Sequence, residues 1–88
     1  MDREQIRTTL LDLLEQETWE RPKAFGDAVK IREELKLDSV DLLGVMLRAE
    51  VQIGVTLDSR DFDKIATVGH LLDTIERKLA AKSQNRAA

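Results

Sequence analysis

The chain has no cysteine and no tyrosine, a single histidine and a single proline, and aromatic residues make up 3% of its 88 positions. Without cysteine there is no disulfide, no thiolate zinc site and no cysteine nucleophile. One histidine, His70, excludes a multi-histidine metal site. No apolar run is long enough to cross a bilayer, and the start Met1-Asp2-Arg3-Glu4 is acidic and amphipathic rather than a secretory leader. The expected compartment is the cytoplasm. A chain of 10.0 kDa holds one small domain.

Positive charge is also scarce where it would matter for nucleic acid. The net charge is −3. Between Asp38 and Asp63, six acids (Asp38, Asp41, Glu50, Asp58, Asp61, Asp63) face only Arg48 and Arg60, a local charge of −4. Only the stretch from Lys64 onward is basic, and it lacks aromatics on which bases could stack, so nucleic-acid binding is not expected. The acidic middle favours basic protein partners.

What is present is helical periodicity. Ile6, Leu10, Leu13 and Leu14 share one face of a helix expected from Asp2 to Glu17. Thr18 to Leu37 is a long connection with Pro22 and Gly26. Its apolar anchors Phe25, Val29, Ile31 and Leu35 must pin it across the bundle, with a short helical turn near Ile31 to Leu35. Trp19, beside Pro22, is expected to pack against the end of the first helix. Asp38 is an N-cap, Asp41 adds charge to the positive helix end, and a second helix runs from Ser39 to Ile53 before Gly54. A short piece at Ser59 to Lys64 turns Phe62 inward. Thr67 caps a last helix with Val68, Leu71, Leu72, Ile75 and Leu79 on one face. The expected architecture is all-α, a small four-helix bundle of three long helices and one short one with a long first loop. The domain spans 1–82, with a flexible tail over 83–88.

At about 100° per residue the second helix carries two apolar stripes. Leu42, Val45, Met46, Ala49 and Ile53 form one, and Val40, Leu43, Leu47 and Val51 form the other. Periodicity alone leaves two readings open. Either both stripes are buried in a central helix, or the second is an uncovered patch meant for partners.

Leu35-Lys36-Leu37-Asp38-Ser39-Val40-Asp41, a capped serine opening a helix after a long loop, resembles the attachment motif of acyl and peptidyl carrier proteins. The likeness extends through Leu57, the Phe62 to Lys64 piece and Ile65-Ala66-Thr67-Val68. It implies that the Ser39 hydroxyl carries 4′-phosphopantetheine, installed from coenzyme A by a separate phosphopantetheinyl transferase. The arm's thiol would hold acyl or aminoacyl intermediates as thioesters. A phosphodiester suits that place, because the first turn offers unpaired N–H groups and the positive end of the dipole. Asp38 has the cap and a place in the motif. The resemblance also assigns Val40, Leu43 and Leu47 to an exposed partner-docking row rimmed by Asp41 and Glu50, and Met46, Ala49 and Ile53 to the core.

Four residues depart from the family pattern. Lys36 replaces a position that is often Gly. Gly44 and Arg48 stand where fatty-acid-synthesis carriers tend to have an acidic or apolar residue, and Val51 replaces an expected acid. A helix-interior Gly costs about 1 kcal/mol relative to Ala, so Gly44 points to close approach of a partner backbone or of the arm. With Arg48 it joins the expected partner surface. These departures favour a carrier of a polyketide or nonribosomal-peptide pathway, loaded by an adenylation or acyltransferase enzyme. The alternatives are a D-alanyl carrier of cell-wall tailoring and an unmodified helical adaptor. His70 has no nucleophile partner, and the pairs Glu33-Glu34 and Asp61-Asp63 fit solvated faces and caps, so the chain is not expected to be an enzyme, to hold a metal or to oligomerise.

Overall fold

The computed structural model describes the backbone of residues 1–85 and the side chains of residues 1–82. Four helices follow one another: α1 (Arg3–Thr18), α2 (Ser39–Gln52), α3 (Ser59–Asp63) and α4 (Val68–Asn85). Three of them begin at an aspartate. Asp2, Asp38 and Asp58 each accept from the backbone N–H three residues on, and the side chain at that third position accepts in return from the cap's own N–H. Thr67 does the same service for α4, its Oγ1 accepting from His70 N at 3.2 Å, while His70 Nδ1 accepts from Ala66 N at 3.1 Å. The exposed histidine is thus engaged at a helix start. α2 ends where Gly54 takes φ +83°, a left-handed conformation that a side chain would strain. α4 continues to Asn85, beyond the expected end of the domain at 82; the rest of the expected tail, 86–88, lies outside the described residues.

The apolar face of each helix meets one core. Ile6, Leu10, Leu13 and Leu14 of α1 are buried against Leu42, Val45 and Ala49 of α2 and Val68, Leu71, Leu72 and Ile75 of α4. Phe62 carries α3 into the same cluster, and the extended link after α2 points alternate residues Ile53, Val55 and Leu57 inward. Leu72 and Ile75 are fully enclosed, so truncating either to Ala costs about 2–5 kcal/mol. Packing is tight: the space left among Leu10, Leu14, Phe25, Ile31, Leu42, Val45, Phe62 and Leu71 is about 10 Å³, no more than one water could fill.

The long α1–α2 loop is ordered by anchors and by backbone bonds. Phe25, Ile31 and Leu37 are buried and Val29 and Leu35 half-buried. Lys30 and Thr67 form an isolated antiparallel bridge, in which Ile31 N donates to Ala66 O at 3.0 Å and Val68 N to Val29 O at 2.9 Å. One helical turn follows, closed by Glu34 N donating to Lys30 O at 2.9 Å. Asp27 ties the loop to the start of α1, pairing with Arg3 at 2.9 Å and Arg7 at 2.7 Å, while Arg7 also donates to Phe25 O at 2.7 Å. Arg3 in turn pairs with Asp73 and Glu76 of α4. The guanidinium groups of Arg7 and Arg3 hold the Asp27 carboxyl below the usual carboxylate range.

Trp19 departs from expectation. It does not pack against α1 but is 90% exposed. Its backbone takes φ +66° and donates to Glu15 O, closing the helix by the left-handed route usually given to Gly, and this turn carries the side chain into solvent.

Candidate functional site

Ser39 is the first residue of α2, and its side chain is exposed. Its position is fixed from both sides. Upstream, buried Leu37 and half-buried Leu35 clamp the loop, and Lys36 between them adopts φ +56°. This accounts for a frequent Gly at that position in the family: the turn requires the left-handed region, which costs a non-glycine residue about 1–2 kcal/mol. Downstream, Asp38 accepts from Asp41 N at 2.9 Å, Asp41 accepts from Asp38 N at 3.4 Å, and Leu42 N donates to Asp38 O at 3.0 Å. The N–H groups of Ser39 and Val40 have no intrahelical acceptor at this end. The turn thus combines an uncovered hydroxyl with free donors and the positive end of a 14-residue helix.

The two stripes of α2 separate as the resemblance implies. Leu42, Val45, Ala49 and Ile53 are buried and Met46 is partly so, while Val40 is 72%, Leu43 52%, Leu47 58% and Val51 81% exposed. Four large aliphatic side chains on one uncovered row, with Asp41 and Glu50 on its flanks, make an apolar strip that begins next to Ser39.

Gly44 and Arg48 both meet α1, while the Arg48 side chain stays 42% exposed. A Cβ on Gly44 would overlap the carboxylate of Glu17. That carboxylate accepts from Arg48 Nε at 2.9 Å, and Arg48 Nη1 donates to Gln16 at 3.1 Å. The close approach seen at Gly44 is that of a side chain of α1.

Beside the Ser39 turn, a groove of about 600 Å³ runs between the end of α1 and the loop, with Leu14, Val29, Leu35, Leu37 and Asp41 among its lining. Among the described residues no group of three or more His, Cys, Asp and Glu could hold a metal, and no helix is long and apolar enough to cross a membrane.

The family model described as "Phosphopantetheine attachment site" matches residues 4–75. An acyl carrier protein of Thermotoga maritima is 30% identical over 77 residues, 88% of this chain and 95% of that one. One from Saccharopolyspora erythraea is 26% identical over 90 aligned positions, 98% and 95% of the two chains. Among solved structures, the crystal structure of the Thermotoga maritima acyl carrier protein superposes with a TM-score of 0.80 at 18% identity, over 92% of this chain and 94% of that one. The solution structure of a holo acyl carrier protein from Geobacter metallireducens gives 0.74 at 18% identity, over 92% and 93%. Proteins of this kind are carriers rather than catalysts, they interact with a phosphopantetheinyl transferase and with partner enzymes, and the matched domain is the site of a covalently attached 4′-phosphopantetheine. By the extent of the family match and the shared four-helix fold, the chain belongs to the phosphopantetheine-attachment family of acyl and peptidyl carrier proteins.

Proposed function

We propose that Ser39 is the residue that bears the 4′-phosphopantetheine and that the Val40-Leu43-Leu47-Val51 row docks the enzymes acting on it. The observation that carries this reading is the exposed hydroxyl on a capped first turn, with an uncovered aliphatic row leading away from it. Asp38 orients the turn through its cap. The N–H groups of Ser39 and Val40 and the helix dipole favour a phosphodiester there. When attached, the arm supplies a thiol on which acyl or aminoacyl groups are held as thioesters. Asp41 and Glu50 flank the row and tune the rate of association with basic partners.

The cargo we assign to the chain is that of a polyketide or nonribosomal-peptide pathway. Gly44 and Arg48 both meet Glu17 of α1, which gives these two departures a role inside the fold. Val51 supports the assignment: an exposed valine extends the row by a turn of helix where the fatty-acid pattern leads one to expect an acid. The test is loading. The phosphopantetheinylated chain is offered to adenylation enzymes, to polyketide acyltransferases and to a D-alanine-activating enzyme, and acylation is followed by mass. Acceptance from either of the first two is expected; exclusive acceptance of D-alanine would move the chain to cell-wall tailoring.

A further inference from the structure

A flexible chain tethered at Ser39 has several places to lie, and their sizes and positions separate them. The interior is closed: the space among Leu10, Phe25, Leu42, Val45 and Phe62 is about 10 Å³. A recess of about 270 Å³ on the α2 row is lined by Gln16, Leu47, Arg48 and Val51. It begins at Leu47, about 12 Å along the helix from Ser39. The groove of about 600 Å³ between the end of α1 and the loop is closer. Ser39 is not in its lining, but Lys36, Leu37 and Asp41 are, so the groove wall brackets the attachment residue in the chain. Residues two apart on a helix are separated by about 5–6 Å between Cα atoms, within reach of one side chain. The groove's volume also falls in the range of small-molecule sites, about 300–1,000 Å³.

The lining suits one chemistry. Leu14, Val29 and Leu35 supply apolar surface. Glu20, Glu34 and Asp41 stand against Arg21, Lys23 and Lys36, so the groove carries no net charge. An uncharged chain of amides and methyl groups fits such a lining better than an ion does. Three of these charges are engaged: Arg21 pairs with Asp12 and Glu15, Glu34 accepts from Lys30 N, and Asp41 accepts from Asp38 N. Of the other three, Glu20 and Lys23 offset each other and Lys36 remains. Lys36 is exposed and pairs with no carboxylate among the described residues. Its φ of +56° is a backbone that glycine adopts freely and lysine does not. Strain of that kind is concentrated at functional sites. A cation this near to Ser39 in the chain matches a phosphodiester on its hydroxyl.

We propose that this groove is where the pantetheine arm rests when no enzyme is docked, its amides and methyl groups against the lining and its phosphodiester held by Lys36. The proposal rests on Ser39 as the attachment residue and adds a binding site for what it bears. None of the four row residues lines the groove, so the resting arm leaves the row open to a docking enzyme. Tethering makes even a weak site effective. The attached arm faces the groove at an effective concentration on the order of millimolar, so millimolar affinity fills about half of it.

The test uses the isotope-labelled chain carrying an unlabelled arm, installed by a phosphopantetheinyl transferase and confirmed by mass. Filtered NOEs from the arm's geminal methyl protons are expected on the methyl groups of Val29 and Leu35. Amide shifts between the chain without and with its arm should spread over residues 18–24 and 29–37. Phosphorus-31 relaxation should report a phosphodiester that tumbles with the domain. Lys36→Gln removes the charge and should weaken the NOEs and free the phosphodiester by about twofold or more, the scale of an exposed ion pair. Lys36→Arg should restore both, and thermal melts separate loss of the charge from loss of the fold. Shift changes confined to residues 38–42, or NOEs from the arm to Leu43 and Leu47 instead, overturn the proposal while leaving Ser39 as the attachment residue. Groove NOEs unchanged in Lys36→Gln overturn the part assigned to Lys36. A wild-type chain that gains no arm contradicts the attachment reading itself, and the proposal falls with it.

Discussion

Replacing Gly44 by Ala tests whether α1 and α2 meet as described. In an exposed helix interior this change normally stabilises by about 1 kcal/mol, because Gly leaves more conformational freedom in the unfolded chain. Here the added Cβ lands where the Glu17 carboxylate sits, and Glu17 must swing away from Arg48 to admit it. A partly exposed ion pair contributes about 0.2–1 kcal/mol, so its loss offsets most of the propensity gain. Gly44→Ala alone should therefore change stability little. In a Glu17→Ala background the obstruction is gone, and the same substitution should stabilise by about 1 kcal/mol, which raises Tm by about 4–8 °C for a domain of this size. Urea and thermal unfolding of the four variants close the cycle, and the difference between the two backgrounds measures the contact. A full stabilisation by Gly44→Ala in both backgrounds would refute a glycine kept for Glu17. Arm transfer to Gly44→Ala should run at the wild-type rate if Glu17 is all that the glycine accommodates.

Lys36→Gly relieves the left-handed backbone and should stabilise by up to about 1 kcal/mol by denaturant unfolding, the glycine's own entropic cost taking back part of the gain. Leu47→Asp places a charge on an exposed part of the row; stability should stay within about 0.5 kcal/mol of wild type while kcat/KM for arm transfer falls. Asp27 and Asp61 both titrate below the usual carboxylate range, the first through Arg7 and Arg3, the second chiefly through the Asp58 N–H and also Lys78. Their stabilisation is therefore complete above the unfolded pKa of about 4 and is lost as pH falls through their lower folded values. Melts from pH 7 to pH 2 should show Tm dropping below about pH 4, and the drop should be shallower in Asp27→Asn and Asp61→Asn, which start from a lower Tm.

The helices were legible because their signals are local. Asp38 and Thr67 announce helix starts, Gly54 a stop, and the apolar spacing of Ile6, Leu10, Leu13 and Leu14 names the face that is buried. The split of the α2 stripes was not: two apolar arcs on one helix fit burial or exposure equally well, and the family resemblance decided between them. What sequence reasoning missed depends on contacts between distant residues. Nothing near Lys30 signals its bridge to Thr67, and nothing near Gly44 signals Glu17, 27 positions away. Trp19 misled because bulky aromatics beside a proline usually pack, whereas a left-handed helix end turned this one outward. Lys36 did carry a signal, since a frequent Gly at that position implies a backbone that only Gly adopts freely.

The central claim is that one hydroxyl, at the start of α2, receives the arm. The chain and its Ser39→Ala variant are each incubated with coenzyme A and a promiscuous phosphopantetheinyl transferase, and their intact masses are compared. The account predicts a gain of one phosphopantetheine on the wild-type chain and none on the variant. An unchanged wild-type mass, or an equal gain on Ser39→Ala, would contradict it.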